Sequence, residues 1–338
     1  MKEIFWSRVI RSVSLSRLAN SASVILSLAL SRLLRRAIVW GEPFIVTVEP
    51  TIRCNLACPQ CLAGMKQVVR AKANMDVLAF RHFLDVMGAN VWHLLLYNQG
   101  EPFLNSDILT FIGLAKQRRI YVTISTNGHF LRDKDFVREL VSGGLDSIIV
   151  SLDGADEQTY QAYRRGGNFS AVVEGIELLA KMRDELRSPT PKIVIQCLVM
   201  KHNEQQMGEM RALADRLGAD RLLFKTFQVE FQENGESFLP DSPNWRRYEF
   251  VGDQIQPRNK LTACTRLWYS TVILSDGRIV PCCFDKNGAH SFGNITAIKT
   301  VDQFWKSDEY HRFRNAALRG AEQIHICRNC TQNQKVYL

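Results

Sequence analysis

The sequence has no uninterrupted apolar run long enough to cross a bilayer, which takes about 20 residues. It has no signal-peptide cleavage pattern, no internal repeat and no low-complexity tract. Beyond residue 40 it has little surplus of either charge. Lys2, Arg8, Arg11, Arg17, Arg32, Arg35 and Arg36 stand against Glu3 alone, so residues 1–40 hold six of the nine surplus positive charges. The balanced remainder offers no nucleic-acid surface, and no nucleic-acid partner is expected.

Cysteine is abundant instead. There are nine in 338 residues, an odd number at short spacings, and no secretory leader precedes them. That pattern favours metal binding in a reducing compartment, the cytoplasm, over a disulfide framework. The apolar and charged fractions, 46% and 23%, are ordinary for a globular chain large enough for one barrel-like domain or two domains.

Residues 1–40 read as an amphipathic basic helical extension of two helices. Phe5, Trp6, Val9, Ile10 and Val13 share one face of the first. Ser23, Ser27, Ser31 and Arg35 form a polar stripe on the second, and Val24, Ile25, Leu26, Leu28, Leu30, Leu33 and Leu34 cover the rest. An Arg-flanked helix of this kind suits a membrane surface, here the inner face of the cytoplasmic membrane. It equally suits packing on the protein's own core or on a partner's.

From residue 44 strands and helices alternate. Strands are expected at 44–49, 92–97, 120–125, 146–152, 192–199 and 221–227, and helices at 76–87, 106–117, 133–142, 169–186 and 204–216. Six such units predict parallel pairing in an α/β partial (β/α)6 TIM-like barrel over residues 41–230. Chemistry in such barrels sits at the carboxyl ends of the strands. Cys54-x3-Cys58-x2-Cys61, Gln99-Gly100-Glu101-Pro102, Ser125-Thr126-Asn127-Gly128 and Ser151-Leu152-Asp153-Gly154 all fall there. Residues 231–262, polar and carrying Pro240, Pro243 and Pro257, read as a linker. Residues 263–338 read as a small α+β domain with a β-hairpin turning at Asp276-Gly277, a helix over 300–318, and Cys264, Cys282, Cys283, Cys327 and Cys330.

Three thiolates can hold three corners of a cubane iron–sulfur cluster and leave the fourth iron open to a ligand. A zinc site with a distant fourth ligand is the alternative for that loop alone. The loop followed by Gln99-Gly100-Glu101-Pro102 resembles the radical S-adenosylmethionine (SAM) superfamily over residues 44 to about 227. The resemblance implies that Cys54, Cys58 and Cys61 ligate a [4Fe–4S] cluster whose open iron is chelated by SAM. Reductive cleavage then gives a 5′-deoxyadenosyl radical that removes a hydrogen atom from substrate. By position, Glu101 accepts from the SAM amino group beside Gly100 and Pro102. Ser151 contacts the ribose or carboxylate region, Arg164 pairs the carboxylate with Arg165 as its rival, Ser125 and Asn127 line the rim, and Leu198 flanks the adenine. The family's first glycine is replaced by Gln99. Taken singly, Glu101 is also readable as a solvated charge, Ser151 and Asp153 as a helix cap and Arg164 as a surface residue.

The second cysteine group resembles the twitch domain, a shortened relative of the SPASM domain. Its gaps are 18, 45 and 3 residues from Cys264 to Cys282, Cys327 and Cys330, and Gly277 precedes Cys282 by five. The resemblance implies one closed auxiliary [4Fe–4S] cluster on Cys264, Cys282, Cys327 and Cys330. A four-cysteine zinc ribbon is the alternative. Adjacent strand residues face opposite ways, so Cys282 is expected to ligate and Cys283 not. Cys197 reads as a buried core thiol.

These readings predict a radical SAM enzyme, an oxidoreductase or maturase performing a net two-electron oxidation. Its electrons come from an external donor such as flavodoxin or ferredoxin. Its substrate is a peptide, a sugar or a lipid-linked molecule, with peripheral membrane association as one consequence. No catalytic base is assigned; Lys225 and Glu230 follow strand six. The competing classes are a non-catalytic electron-transfer or cluster-carrier protein and a zinc-binding interaction module.

Overall fold

The computed structural model describes residues 13–259 and 263–330. The first of the two helices expected before residue 40 lies largely outside them. The second is α1 (Leu15–Leu34), capped by the Ser14 hydroxyl, which accepts from Arg17 N.

The alternating units follow. They are β1 (Ile45–Val48), α2 (Val77–Met87), β2 (His93–Leu95), α3 (Ile108–Gln117), β3 (Tyr121–Thr126) and α4 (Lys134–Ser142). Then come β4 (Ser147–Ser151), α5 (Glu157–Tyr163), α6 (Phe169–Glu185), β5 (Lys192–Val199), α7 (Met207–Arg216) and β6 (Arg221–Thr226). Several helices start on side-chain caps, whereas α3 and α7 do not: Asp76 accepts from Ala79 N at 2.8 Å and Asn168 from Ala171 N at 2.7 Å. Each strand presents one apolar, buried face, while the alternate positions carry polar residues such as Thr47, Thr123, Ser125, Lys192 and Gln196. Val46, Val48, Leu94, Val122, Ile124, Ile148, Val150, Ile193, Ile195 and Val199 are buried, and so is Cys197.

β1 to β6 pair in parallel and in sequence order. The sheet also continues past β1. β9 (Ser270–Ile273) lies parallel to β1, and β10 (Ile279–Val280) returns antiparallel to it, giving the order β10-β9-β1-β2-β3-β4-β5-β6. The hairpin expected at Asp276-Gly277 is therefore built into the barrel sheet. Gly277 sits at φ +85, a left-handed conformation that glycine adopts without a Cβ penalty.

The segment read as a linker is packed. β7 (Tyr248–Val251) and β8 (Gln254–Pro257) form a hairpin. Phe238, Leu239, Tyr248 and Ile255 share a core with Leu56, Cys58, Tyr163 and Phe227. Sparse apolar residues among polar ones concealed that contact with the cysteine loop. The last helix, α8 (Asp308–Gly320), is preceded by a separate turn at Asp302–Trp305, so the stretch 300–318 is interrupted.

α1 packs through its polar stripe. Ser27 and Ser31 are 1% and 0% exposed, whereas Ile25, Leu26 and Leu33 are 61%, 57% and 77% exposed. The serines can be buried because each hydroxyl is satisfied: Ser27 Oγ donates to Val24 O, and Ser31 Oγ to Ser27 O and Ile38 O.

Candidate functional site

The loop after β1 carries Cys54, Cys58 and Cys61 at the carboxyl end of the sheet, and the next loop is laid against it. Glu101 N donates to Arg53 O at 2.7 Å. Gly100 has φ +73, and a Cβ there would meet Thr51 O at 2.4 Å and Arg53 O at 2.7 Å. Only glycine lets the two backbones approach so closely.

Glu101 is buried and both its oxygens are engaged. Oε1 accepts from Thr126 Oγ1 at 2.8 Å and Phe103 N at 3.2 Å, and Oε2 accepts from Asn127 N at 2.7 Å. Burial pushes its pKa up to about 7 against the pull of these donors. A carboxylate accepts about four hydrogen bonds, so Oε2 retains capacity for one more donor. Asn127 Nδ2 in turn donates to Asn55 Oδ1 at 2.7 Å, inside the cysteine loop. Ser125, on β3, is half-buried, and Pro102 is buried where a short 3-10 turn begins.

Ser151 ends β4 and is buried. Arg164 at the end of α5 donates through Nε to Asp153 Oδ2 at 2.5 Å, and Asp153 Oδ1 accepts from Leu198 N at 2.7 Å. The expected carboxylate partner of Arg164 therefore shares it with an internal aspartate, which holds the guanidinium in place. Burial lowers the Arg164 pKa, but Asp153 and Cys58 more than offset this, so it stays charged. Arg165 is exposed, and its carbonyl accepts from Ala57 N. Leu198, Cys54 and Cys61 pack against the same buried cluster.

Burial raises the Cys54 pKa and pushes Cys58 up to about 11, and the neighbouring thiols add to both shifts while Arg164 opposes them. The three thiols are thus within electrostatic reach of one another. Among the described residues, no three Cys, His, Asp or Glu side chains surround a single ion position. A cubane gives each iron its own thiolate and needs a wider spread. Three soft thiolates in one loop, with Glu101 and Arg164 beside them, fit a cluster with one open corner. Its ligands must be deprotonated, so cluster charge has to offset the burial that raises these pKa values.

Cys264, Cys327, Cys330 and Cys282 pack in one core, whereas Cys283 packs with Val272, Leu274 and Val280. The alternation argument fails here because both cysteines lie in a turn beyond β10. They pack against different clusters, and both lie within electrostatic reach of Cys264. Burial pushes Cys327 up to about 12, with Cys264 and Cys330 adding to the shift.

Several residues of the site carry no sequence signal of their own. Glu49, at the end of β1, is fully buried and accepts from Asn98 Nδ2 at 2.8 Å, Gln99 N at 3.3 Å and Ser275 N at 3.2 Å, with Arg70 Nε 3.4 Å away. One carboxylate therefore joins β1, the Gln99 loop and the β9–β10 hairpin. A charge closing an apolar strand run was the only hint. Gln60 accepts from Glu230 N and Phe231 N and donates to Phe231 O, tying the cysteine loop to the chain after β6.

A cavity of about 610 Å³ opens beside that tie. Its walls include Gln228, Gln232, Gln254 and Cys327. Gln228 Nε2 is buried with no hydrogen-bond partner among the described residues. Glu230 and Lys286 form an ion pair on its wall. Lys225, near the end of β6, lies within reach of Asp153 and Cys283. Burial and Arg247 lower its pKa to about 8.

Residues 48–214 match the family model described as the Radical SAM superfamily, and residues 264–331 match the model described as an iron-sulfur cluster-binding domain, SPASM. Among curated proteins the chain is 30% identical over 180 residues to the mycofactocin maturase MftC of Mycobacterium ulcerans, covering 52% of this chain and 46% of that one. It is 27% identical over 305 residues to the tungsten-containing aldehyde ferredoxin oxidoreductase cofactor-modifying protein of Pyrococcus furiosus, covering 79% and 82%. The chain spans about half the length of the first of these relatives. In fold it is similar to Streptococcus suis SuiB bound to precursor peptide SuiA, with TM-score 0.62 and 14% identity over 88% of this chain and 71% of the other.

Proposed function

The chain belongs to the radical SAM superfamily and is an enzyme with a C-terminal SPASM-type iron–sulfur domain; from that premise we propose that it carries out a net two-electron oxidation of a peptide-class substrate. When bound, a [4Fe–4S] cluster with SAM would supply a 5′-deoxyadenosyl radical for hydrogen-atom abstraction, and an auxiliary cluster would provide an acceptor for the second electron.

The chain's own residues divide the work. Cys54, Cys58 and Cys61 hold the first cluster. Glu101 Oε2 accepts from the SAM amino group, and the outer edge of Arg164 pairs its carboxylate while Asp153 holds the inner edge. Ser151, Ser125, Asn127 and Leu198 enclose the nucleoside. Cys264, Cys282, Cys327 and Cys330 hold the auxiliary cluster. A flavodoxin or ferredoxin supplies the first electron. After hydrogen abstraction the substrate loses a proton, and Lys225, within reach of Asp153 and Cys283 and with its pKa lowered to about 8, accepts it.

The observation that carries this reading is the continuous sheet. β9 pairs directly with β1, so the auxiliary cysteines are built against the strand that feeds the cysteine loop. Peptide is the favoured substrate on two grounds. The cavity wall presents side-chain amides, among them the unpartnered Gln228 donor, and Gln232 already bonds both backbone groups of Ile255. The maturase among the relatives and the peptide-bound fold neighbour point the same way.

The test is anaerobic turnover with dithionite and SAM. 5′-Deoxyadenosine must form, and a peptide encoded near the gene must raise its rate and lose two hydrogens or carbon dioxide. A reconstituted protein that carries both clusters yet forms no 5′-deoxyadenosine is an electron carrier. Lys225→Met is expected to keep uncoupled SAM cleavage and to slow substrate oxidation by roughly 10²–10⁴. Equal loss of both activities would remove Lys225 from the proton step.

A further inference from the structure

The exposed face of α1 has the composition of a buried one. Leu15, Leu18, Ile25, Leu26 and Leu33 are all exposed along it, and from Leu18 to Ser31 the helix has no charged side chain. Its polar stripe cannot turn outward to relieve this, because Ser31 also accepts from Trp268 Nε1 at 3.1 Å and from Ile38 N at 2.9 Å. The helix is fixed at both ends. The Arg17 guanidinium donates to Gly88 O, Ala89 O, Arg118 O and Arg119 O, and Asn20 bonds both backbone groups of Glu42. Beyond the apolar face stand Arg32, Arg35 and Arg36, all exposed, followed by the exposed Trp40. No acidic residue occurs in the helix.

We propose that this face docks on an anionic bilayer surface, with the active-site mouth turned away from the membrane. An apolar helix face with an arginine and tryptophan rim inserts at the headgroup boundary, where arginines meet lipid phosphate and carboxylate groups. A second copy of the chain would cover the apolar area but add to the positive charge, whereas an anionic bilayer neutralises it. The helix is also too short in apolar length to span: among the described residues no helix is long and apolar enough to cross a membrane.

The orientation follows from the carbonyls that Arg17 grips. They lie just before β2 and β3, at the amino ends of the strands, while Cys54, Glu101, Asn127 and Ser151 lie at the carboxyl ends. The docking face and the mouth are at opposite ends of the barrel. The substrate therefore arrives from the aqueous side, which sets aside a lipid-embedded substrate in the same bilayer. The direction of the mouth rests on the site proposed above; the docking does not.

The full-length holoenzyme is mixed with vesicles of phosphatidylcholine alone or of phosphatidylcholine with phosphatidylglycerol, sedimented, and mapped by hydrogen exchange. Binding is expected to the anionic vesicles, with new protection confined to residues 15–34. Ile25→Gln/Leu26→Gln/Leu33→Gln should abolish binding and leave SAM cleavage in solution unchanged. Arg32→Gln/Arg36→Gln should weaken binding roughly 30-fold. Binding that survives the triple substitution and is lost on removing residues 1–12 would overturn the proposal. So would a concentration-dependent dimer that the triple substitution dissolves. Protection at residues 54–61 and 99–101 instead of 15–34 would reverse the orientation, whatever the outcome of the activity assay.

Discussion

Glu101 shows how one side chain serves both the fold and the site. Three donors hold it, and it lies within electrostatic reach of Cys54. Glu101→Gln replaces one acceptor oxygen with an amide donor and sets it against a donor, at a cost of about 1–3 kcal/mol. We expect the variant to keep its cluster and to bind SAM about tenfold more weakly or worse, measured by anaerobic titration. Unchanged SAM affinity would remove Glu101 from the cofactor site. His93 gives a separate prediction on pH. It is largely buried and bonds Thr123 Oγ1, and burial depresses its pKa to about 4 from an ordinary value near 6.5. A depressed base contributes stability above pH of about 6.5 and loses it as the pH falls towards 4, by up to roughly 3 kcal/mol. The thermal midpoint should fall over that window, and His93→Gln should flatten the fall. At this scale the sequence revealed residue types with a chemical role, since cysteine spacing and the Glu101 motif are local. The partners were hidden. Asp153 holding Arg164 from the preceding loop, and Glu49 joining segments as far away as Ser275, are contacts that no motif spacing records.

Among the elements, the βα units were legible because short apolar strand runs alternate with helical stretches, several of which begin on side-chain caps. The strand ends then fixed where the motifs meet. The close approach of two loops at Gly100 was not visible, although the positive φ there explains why glycine occupies the motif's second position. Gly100→Ala puts a methyl group against two backbone carbonyls. It should destabilise the protein by about 1–3 kcal/mol and weaken SAM binding, read from the thermal midpoint and the same titration. A neutral result would mean that the loops separate freely. Which side of α1 packs inward was not legible, for a physical reason. Helical periodicity finds a stripe but not the side that faces inward, and hydroxyls that bond the helix's own carbonyls make a serine stripe inexpensive to bury. The packed hairpin of β7 and β8 was missed for the converse reason, since its few apolar residues look like a linker until they meet the cysteine loop.

In the whole molecule, two cysteine groups separated by some 200 residues of sequence are joined through one eight-stranded sheet. Order along the chain suggested two units with a linker between them. The pairing of β9 with β1 makes them one structure, with the cavity beside the Gln60 tie and Cys327 on its wall. The account stands or falls on whether the second group holds its own iron–sulfur cluster. The most direct measurement is iron, sulfide and zinc content of the anaerobically reconstituted Cys54→Ala/Cys58→Ala/Cys61→Ala protein. The account predicts about half the iron of the unaltered protein, with matching sulfide and the absorbance of one remaining cubane. Loss of all iron, or zinc held at the second group, would contradict it.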